Sequence, residues 1–352
     1  MEIIGRGKIK ELKKIIHKNE YERVLLVTNR NSFTSTGLDE KLKPLLSECE
    51  YERFYDFNVN PTFEDLLNGI KITKKMKPDL IIGIGGGSAM DLAKLLAVHH
   101  NKVNMEFSEL YEFSKSPIDT LLVPTTSGSG SEATKYAVIS YQNSKTSVAD
   151  KRLIPKYCIV DGSLTDKLPP SVTAYTGLDA ISQALESYWS NNATDESKQY
   201  ALKAIELMAP NLVKAFKGND PNARDKMAHG SFLAGKAIDI SATTAPHAFS
   251  YFLTDKYQVP HGQAVALIVP FFIRVNSKAV DLQEVLDLFD FKSVNELEDF
   301  YNTMLKDMGL YKKIEDIVDN KMEFINAVNE SKLINNPVQL TGQEYYSLFF
   351  EE

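Results

Sequence analysis

Short runs that are apolar throughout alternate with longer amphipathic stretches over the first half of the chain. Residues 23–27 (RVLLV) and 79–84 (DLIIGI) leave no face for water and predict buried strands, as do residues 120–123 and 157–160 (YCIV). Residues 51–57 predict a further strand. Between them, residues 38–46, 62–76 and 88–99 read as helices, with Leu66, Leu67, Ile70 and Ile72 near one face of the second. Strands without a polar face, separated by helices, imply a parallel sheet covered on both sides. After residue 161 the pattern changes. Pro169-Pro170 breaks the chain, and residues 173–189, 196–217, 221–239 and 260–275 have helical periodicity with no strong strand between them. The reading is an α/β domain over residues 1–164 and an all-helical domain over 165–352, packed closely with a cleft between them.

Composition narrows the function classes. Of 352 residues, 43% are hydrophobic and 25% charged, the balance of a globular protein with a sizeable core. The net charge of −7 argues against a broad nucleic-acid surface, which needs an excess of Lys and Arg. No apolar run reaches the roughly 20 residues of a membrane span, and residues 1–14 lack the apolar core of a secretion signal. Two cysteines, Cys49 and Cys158, make no disulfide framework. A cytoplasmic protein without nucleic-acid or membrane partners is expected.

Three constellations carry candidate chemistry. Gly83-Ile84-Gly85-Gly86-Gly87-Ser88 follows a buried strand and opens a helix that continues through Asp91 and Lys94. Glycines allow close approach of a phosphate, and the free N–H groups and positive dipole end of the helix stabilise it. A tight turn that binds nothing could share this sequence, and the spacing departs from G-x-G-x-x-G, so a Rossmann variant describes it better. A second polar turn, residues 124–134 (PTTSGSGSEAT), follows another strand and offers hydroxyl and N–H groups to ribose or pyrophosphate; most Ser/Gly stretches are merely flexible loops. Third, Asp179 and Gln183 lie four residues apart on one helix face, and His247 and His261 follow fourteen residues apart. Pro260 should interrupt any helix from His247, so the two imidazoles would meet from adjoining elements. A carboxylate with imidazoles suits Zn²⁺ or Fe²⁺, although a hydrogen-bonded structural role is the commoner fate of a single histidine.

Together these blocks resemble the iron-containing (group III) alcohol dehydrogenase family. The resemblance runs in order through residues 27–29 (VTN), 85–94 (GGGSAMDLAK), 124–134, 177–187 (GLDAISQALES), the pair His247 and His261, and Asn336-Pro337. It implies a Rossmann-like N-terminal domain, a helical metal-binding domain of dehydroquinate synthase-like architecture, and NAD(P)(H)-dependent interconversion of an alcohol and a carbonyl compound, in a homodimer. By resemblance, Gly86, Gly87 and Ser88 contact the pyrophosphate, with Asp91 in the same block; Thr125, Thr126 and Ser129 serve the ribose and nicotinamide side. Lys145 falls where the family has a cofactor-contacting lysine. Asp179, His247 and His261 match three of four metal ligands.

Three positions depart from the pattern. Gln183 stands where the family usually has a histidine, a poorer donor to Zn²⁺ or Fe²⁺ that should weaken the metal. Asn29 replaces an Asp that disfavours a 2′-phosphate, so NADPH is expected to be accepted alongside NADH. Tyr251 replaces a second histidine and could relay a proton or simply pack. Residues 177–197 and 243–251 look most like phosphonoacetaldehyde reductases, which make 2-hydroxyethylphosphonate. Lys236 could pair with a phosphonate, or instead be solvated or paired with Asp239. Other readings are a general short-chain alcohol dehydrogenase, a dehydroquinate synthase-like cyclase or lyase, and a binding protein without catalysis.

Overall fold

In the computed structural model, which describes residues 1–30, 33, 37–102, 104–142, 144–218, 220–328 and 333–351, the chain divides into two units, Met1–Leu168 and Pro169–Glu352. The strands of the first unit are β1 (Glu2–Ile4), β2 (Arg23–Thr28), β3 (Glu50–Phe54), β4 (Leu80–Gly85), β5 (Asp119–Pro124), β6 (Tyr136–Tyr141), β7 (Ser144–Ala149) and β8 (Tyr157–Val160). Six of them pair in parallel, in the order β1-β8-β5-β4-β2-β3.

Alternate side chains of the central strands supply two separate cores, as the period of two requires. Val24, Leu26, Ile82 and Val123 pack with α1 (Glu11–Lys18) and α2 (Leu38–Leu42) on one face. Leu25, Val27, Ile81 and Leu122 pack on the other with α3 (Phe63–Met76) and α4 (Gly87–His99). Thr62 starts α3 with a capping box closed by Asp65. Gly83 lets α4 lie directly on the sheet, for a Cβ there would meet Leu122 at 2.8 Å and Ala93 at 2.9 Å. Register then aligns the strand ends: Thr28 sits opposite Ile84, and Ile84 opposite Val123. The residues that follow therefore emerge at one edge of the sheet.

Two features of this unit differ from the sequence reading. The edge strand β1 is absent from that reading, so the glycine turn follows the fourth strand in the chain. The antiparallel pair β6–β7 is also missing from it, because β7 (SKTSVA) is too polar to read as a strand. Tertiary bonds hold that hairpin in place: Asp91 accepts from Val138 N at 3.0 Å, and Ser140 N donates to Pro61 O at 2.8 Å.

The second unit is helical, with α5 (Pro170–Trp189), α6 (Asp195–Met208), α7 (Leu212–Lys217), α8 (Pro221–Ser241), α9 (Ala245–Tyr257) and α10 (His261–Asn276), followed by shorter helices to Phe350. Its first helix opens at Pro170, whose fixed φ suits the first turn of a helix, and residues 165–168 fall in the first unit rather than the second. The single helix expected over 196–217 is two, because Pro210 has no N–H with which to continue the ladder. α5 is buried along most of its length and packs against α6, α7, α8 and α10. No helix among the described residues is long and apolar enough to cross a membrane.

Candidate metal centre and cofactor turn

Asp179 and Gln183 project from one face of α5, one turn apart. His247 is in the first turn of α9, and His261 is the first residue of α10. Two backbone reversals bring these helix starts to α5. Ala242, at φ 57°, ends α8, and Gln258, at φ 55°, ends α9 before Pro260. Gly262 completes the approach by placing bare backbone against Tyr175 O and Asp179. As a result, one ligand atom each of Asp179, His247 and His261 lies within 4.8 Å of the others.

The hydrogen bonds fix the chemistry of this cluster. His247 Nδ1 faces Glu186 Oε2, so Nδ1 carries the proton and Nε2 presents its lone pair. That lone pair looks at Asp179 Oδ1, 3.2 Å away. Two acceptors so close require a positive charge between them. Burial works against charging His247, but the carboxylates of Glu186 and Asp179 outweigh it and raise the imidazole to about 10. A proton would satisfy these two groups alone. A divalent cation would also use the nearby His261 ring and answer Gln183 Oε1, a buried acceptor with no hydrogen-bond partner. The donor set therefore fits Fe²⁺ or Zn²⁺. Tyr251 lies flat along His261, with ring centroids 5.6 Å apart at 21°.

The first unit gathers a different group. Gly86 caps α4, and the following Gly87 and Ser88 leave its first N–H groups facing the strand ends. Gly85 gives the Asn29 side chain room, since a Cβ would run into Asn29 Oδ1. A Cβ on Gly86 would come within 3.6 Å of Thr126 Oγ1, and one on Gly87 within 3.1 Å of Ser129 Oγ. Thr125 N donates to Gly85 O at 2.9 Å, joining the two turns. Asn29, Gly86, Gly87, Thr125, Thr126 and Ser129 thus share one edge of the sheet.

Comparisons with known proteins identify the family. The family model for iron-containing alcohol dehydrogenase matches residues 2–162, and that for the C-terminal part of the Fe-containing alcohol dehydrogenase family matches residues 173–349. The chain belongs to the iron-containing alcohol dehydrogenase family. Long-chain-alcohol dehydrogenase 1 of Geobacillus thermodenitrificans is 35% identical over 275 residues, covering 76% of this chain and 70% of that protein. Alcohol dehydrogenase 4 of Saccharomyces cerevisiae is 28% identical over 367 residues, covering 98% and 94%. The crystal structure of sulfoacetaldehyde reductase from Bifidobacterium kashiwanohense in complex with NAD⁺ superposes with a TM-score of 0.94 at 26% identity, over 100% of this chain and 96% of that one. This iron-type alcohol dehydrogenase is therefore an oxidoreductase of alcohols and aldehydes.

Several sequence-predicted residues have structural employment. Ser88 Oγ donates to Val59 O. Asp91 spends both oxygens inside the unit, on Ser131 Oγ and Val138 N, and so holds the second polar turn and the hairpin against α4. Lys145 lies on β7 opposite Ser140, the residue tied to Pro61. Lys236 lies on α8 with its ammonium 6.0 Å from the ring centroids of both Tyr200 and Phe232. The metal candidates are carried by α5, α9 and α10, and α8, which carries Lys236, packs against α5. Sequence reading missed Glu186. Its signal was present: Glu186 stands seven residues after Asp179 and three after Gln183, on the same face of α5.

Proposed function

We propose that this iron-type alcohol dehydrogenase is an NAD(P)H-dependent reductase of a two-carbon aldehyde bearing an anionic tetrahedral group, phosphonoacetaldehyde foremost, with 2-hydroxyethylphosphonate as product. The observation carrying the metal-assisted part is the convergence of Asp179, His247 and His261, with the buried, unpartnered Gln183 Oε1 one helical turn from Asp179. The likeness to a sulfoacetaldehyde reductase supports the substrate class, because a sulfonate and a phosphonate are both tetrahedral oxyanions on the same carbon skeleton.

When bound, a divalent cation supplies Lewis-acid polarisation of a carbonyl, and a nicotinamide supplies the hydride. Asp179, Gln183, His247 and His261 would hold the cation. The glycine turn with Thr125, Thr126 and Ser129 would hold the pyrophosphate and ribose, and Lys145 on the hairpin would contact the cofactor as the family pattern implies. Tyr251 keeps its proton on Oη at neutral pH, since burial first and the charges of Asp179 and Glu186 next push its phenol up to about 12. Its ring lies on His261, and we assign it the role of steadying that imidazole.

The test is oxidation of NADH and NADPH against phosphonoacetaldehyde, sulfoacetaldehyde, glycolaldehyde and propionaldehyde, with Fe²⁺ or Zn²⁺ added and after chelation. The expected result is metal-dependent turnover with kcat/KM highest for the anionic aldehydes. A preference for propionaldehyde would leave a general short-chain dehydrogenase as the reading. Lys236→Met should raise KM for phosphonoacetaldehyde and spare propionaldehyde; equal KM values remove Lys236 from the site.

A further inference from the structure

Glu186 is a carboxylate with no exposed surface, and its hydrogen-bond partners among the described residues are all donors. Its Oε1 accepts from Thr244 N at 2.9 Å, Thr244 Oγ1 at 3.0 Å and His247 N at 3.2 Å, while Oε2 accepts from His247 Nδ1. The direction of the hydroxyl bond is settled by a neighbour. Trp189 Nε1, a donor only, bonds Thr244 Oγ1 at 2.9 Å, which leaves the hydroxyl hydrogen for Glu186. Trp189, Thr244 and the first turn of α9 therefore lock one rotamer and one polarity on this carboxylate.

We propose that Glu186 is the positioning residue of the metal centre: it pins the His247 proton to Nδ1, so that Nε2 is always the ligating atom, and its charge strengthens that nitrogen as a donor. The inference rests on the metal reading above. Two physical arguments carry it. A carboxylate behind a ligating imidazole fixes the tautomer and raises ligand basicity. Charge balance supplies the second. Asp179 and Glu186 together neutralise a divalent cation in a buried place where Gln183 and two neutral imidazoles cannot, and an uncompensated buried charge is costly. Glu186 thereby offsets the weak amide donor at position 183.

Glu186→Gln separates charge and tautomer from shape. The amide oxygen can still serve Thr244 and the His247 backbone, but the amide N–H₂ then faces Nδ1, which must accept. The imidazole proton moves to Nε2, and that nitrogen can no longer ligate.

Zinc affinity, measured by competition with a chromophoric chelator on the full chain, should fall about 10- to 100-fold in Glu186→Gln. Histidine-labelled ¹H–¹⁵N spectra of the protein in saturating zinc should show His247 with a proton on Nδ1 and none on Nε2 in the wild type, and with a proton on Nε2 in the variant, a change that a purely structural residue would not produce. His247→Ala is the control. If wild type and His247→Ala bind zinc equally, the metal reading itself fails. If His247→Ala loses zinc while Glu186→Gln keeps wild-type affinity, the role of Glu186 alone is overturned. Should Glu186→Gln not fold, Thr244→Val decides in the same assay: it removes one hydroxyl donor from the carboxylate and should cost about fivefold in zinc affinity, and unchanged affinity overturns the proposal.

Discussion

The bare backbone of Gly262 lies so close to Tyr175 that a methyl group there would run into the Tyr175 carbonyl oxygen and come within 3.1 Å of Asp179 Cβ. This contact sets how near the start of α10 comes to α5, and so where His261 stands relative to Asp179. Gly262→Ala must push the two helices apart. Overpacking of this kind costs about 1–3 kcal/mol. We expect a lower Tm together with at least a tenfold loss of zinc affinity. A variant that folds with unchanged zinc affinity would show that the spacing of these helices does not set the metal centre.

His247→Ala and His261→Ala each remove a ligand without touching the glycine turn in the other unit. Both should lose most of kcat, by about 100-fold or more, while the Kd for NADH, read by fluorescence, stays within a factor of two or so. Loss of nucleotide affinity in both variants would contradict the division of labour between the units.

Gln183 should make the metal unusually easy to strip. Replacing it with histidine puts a stronger donor on the same face of α5, and the chelator concentration needed to inactivate should rise about tenfold. Gln183→Leu should move it the other way. Identical chelator sensitivity in all three proteins removes residue 183 from the ligand set.

Asn29→Asp changes charge while keeping the shape that fits over Gly85. A carboxylate at the end of β2 repels a 2′-phosphate. The ratio of KM for NADPH to KM for NADH should therefore rise at least tenfold or so, with kcat for NADH little changed. An unaltered ratio places the 2′-position elsewhere.

Glu132 gives stability a pH dependence that is independent of the metal centre. Burial raises its carboxyl to about 7 despite its own backbone N–H and the nearby Lys94, and the charge of Asp91 adds to the rise. From its ordinary value of 4.5 up to about 7, the folded protein holds a proton that the unfolded chain has released. Stability therefore falls as pH rises through that window, by up to about 3 kcal/mol, and levels off above it. Asp91, also raised by burial, acts in the same sense and remains in the variant. In urea titrations at pH 5 and pH 8, Glu132→Gln should lose less stability between the two than the wild type does. Equal losses would show that Glu132 is ionised at no cost in the fold.

The central strands were legible in the sequence because β2, β4, β5 and β8 are buried on both faces and must be apolar throughout. The candidate metal ligands were legible as types. Asp179 and Gln183 could be paired by helical spacing alone, and Pro260 announced that His247 and His261 sit on separate helices. Polar β7 had no such signature, since its strand conformation depends on pairing with β6 and on bonds from Asp91 and Pro61. The amino-acid pattern thus determined which segments become buried strands, which become helices, and which residues could ligate a cation. Only the tertiary structure decided that Glu186 stands behind His247, that Asp91 braces the hairpin, and that Lys236 lies over Tyr200 and Phe232. The physical reason is range: periodicity records how one segment meets solvent, whereas a hydrogen bond between residues sixty positions apart exists only once helix ends have been brought together by packing.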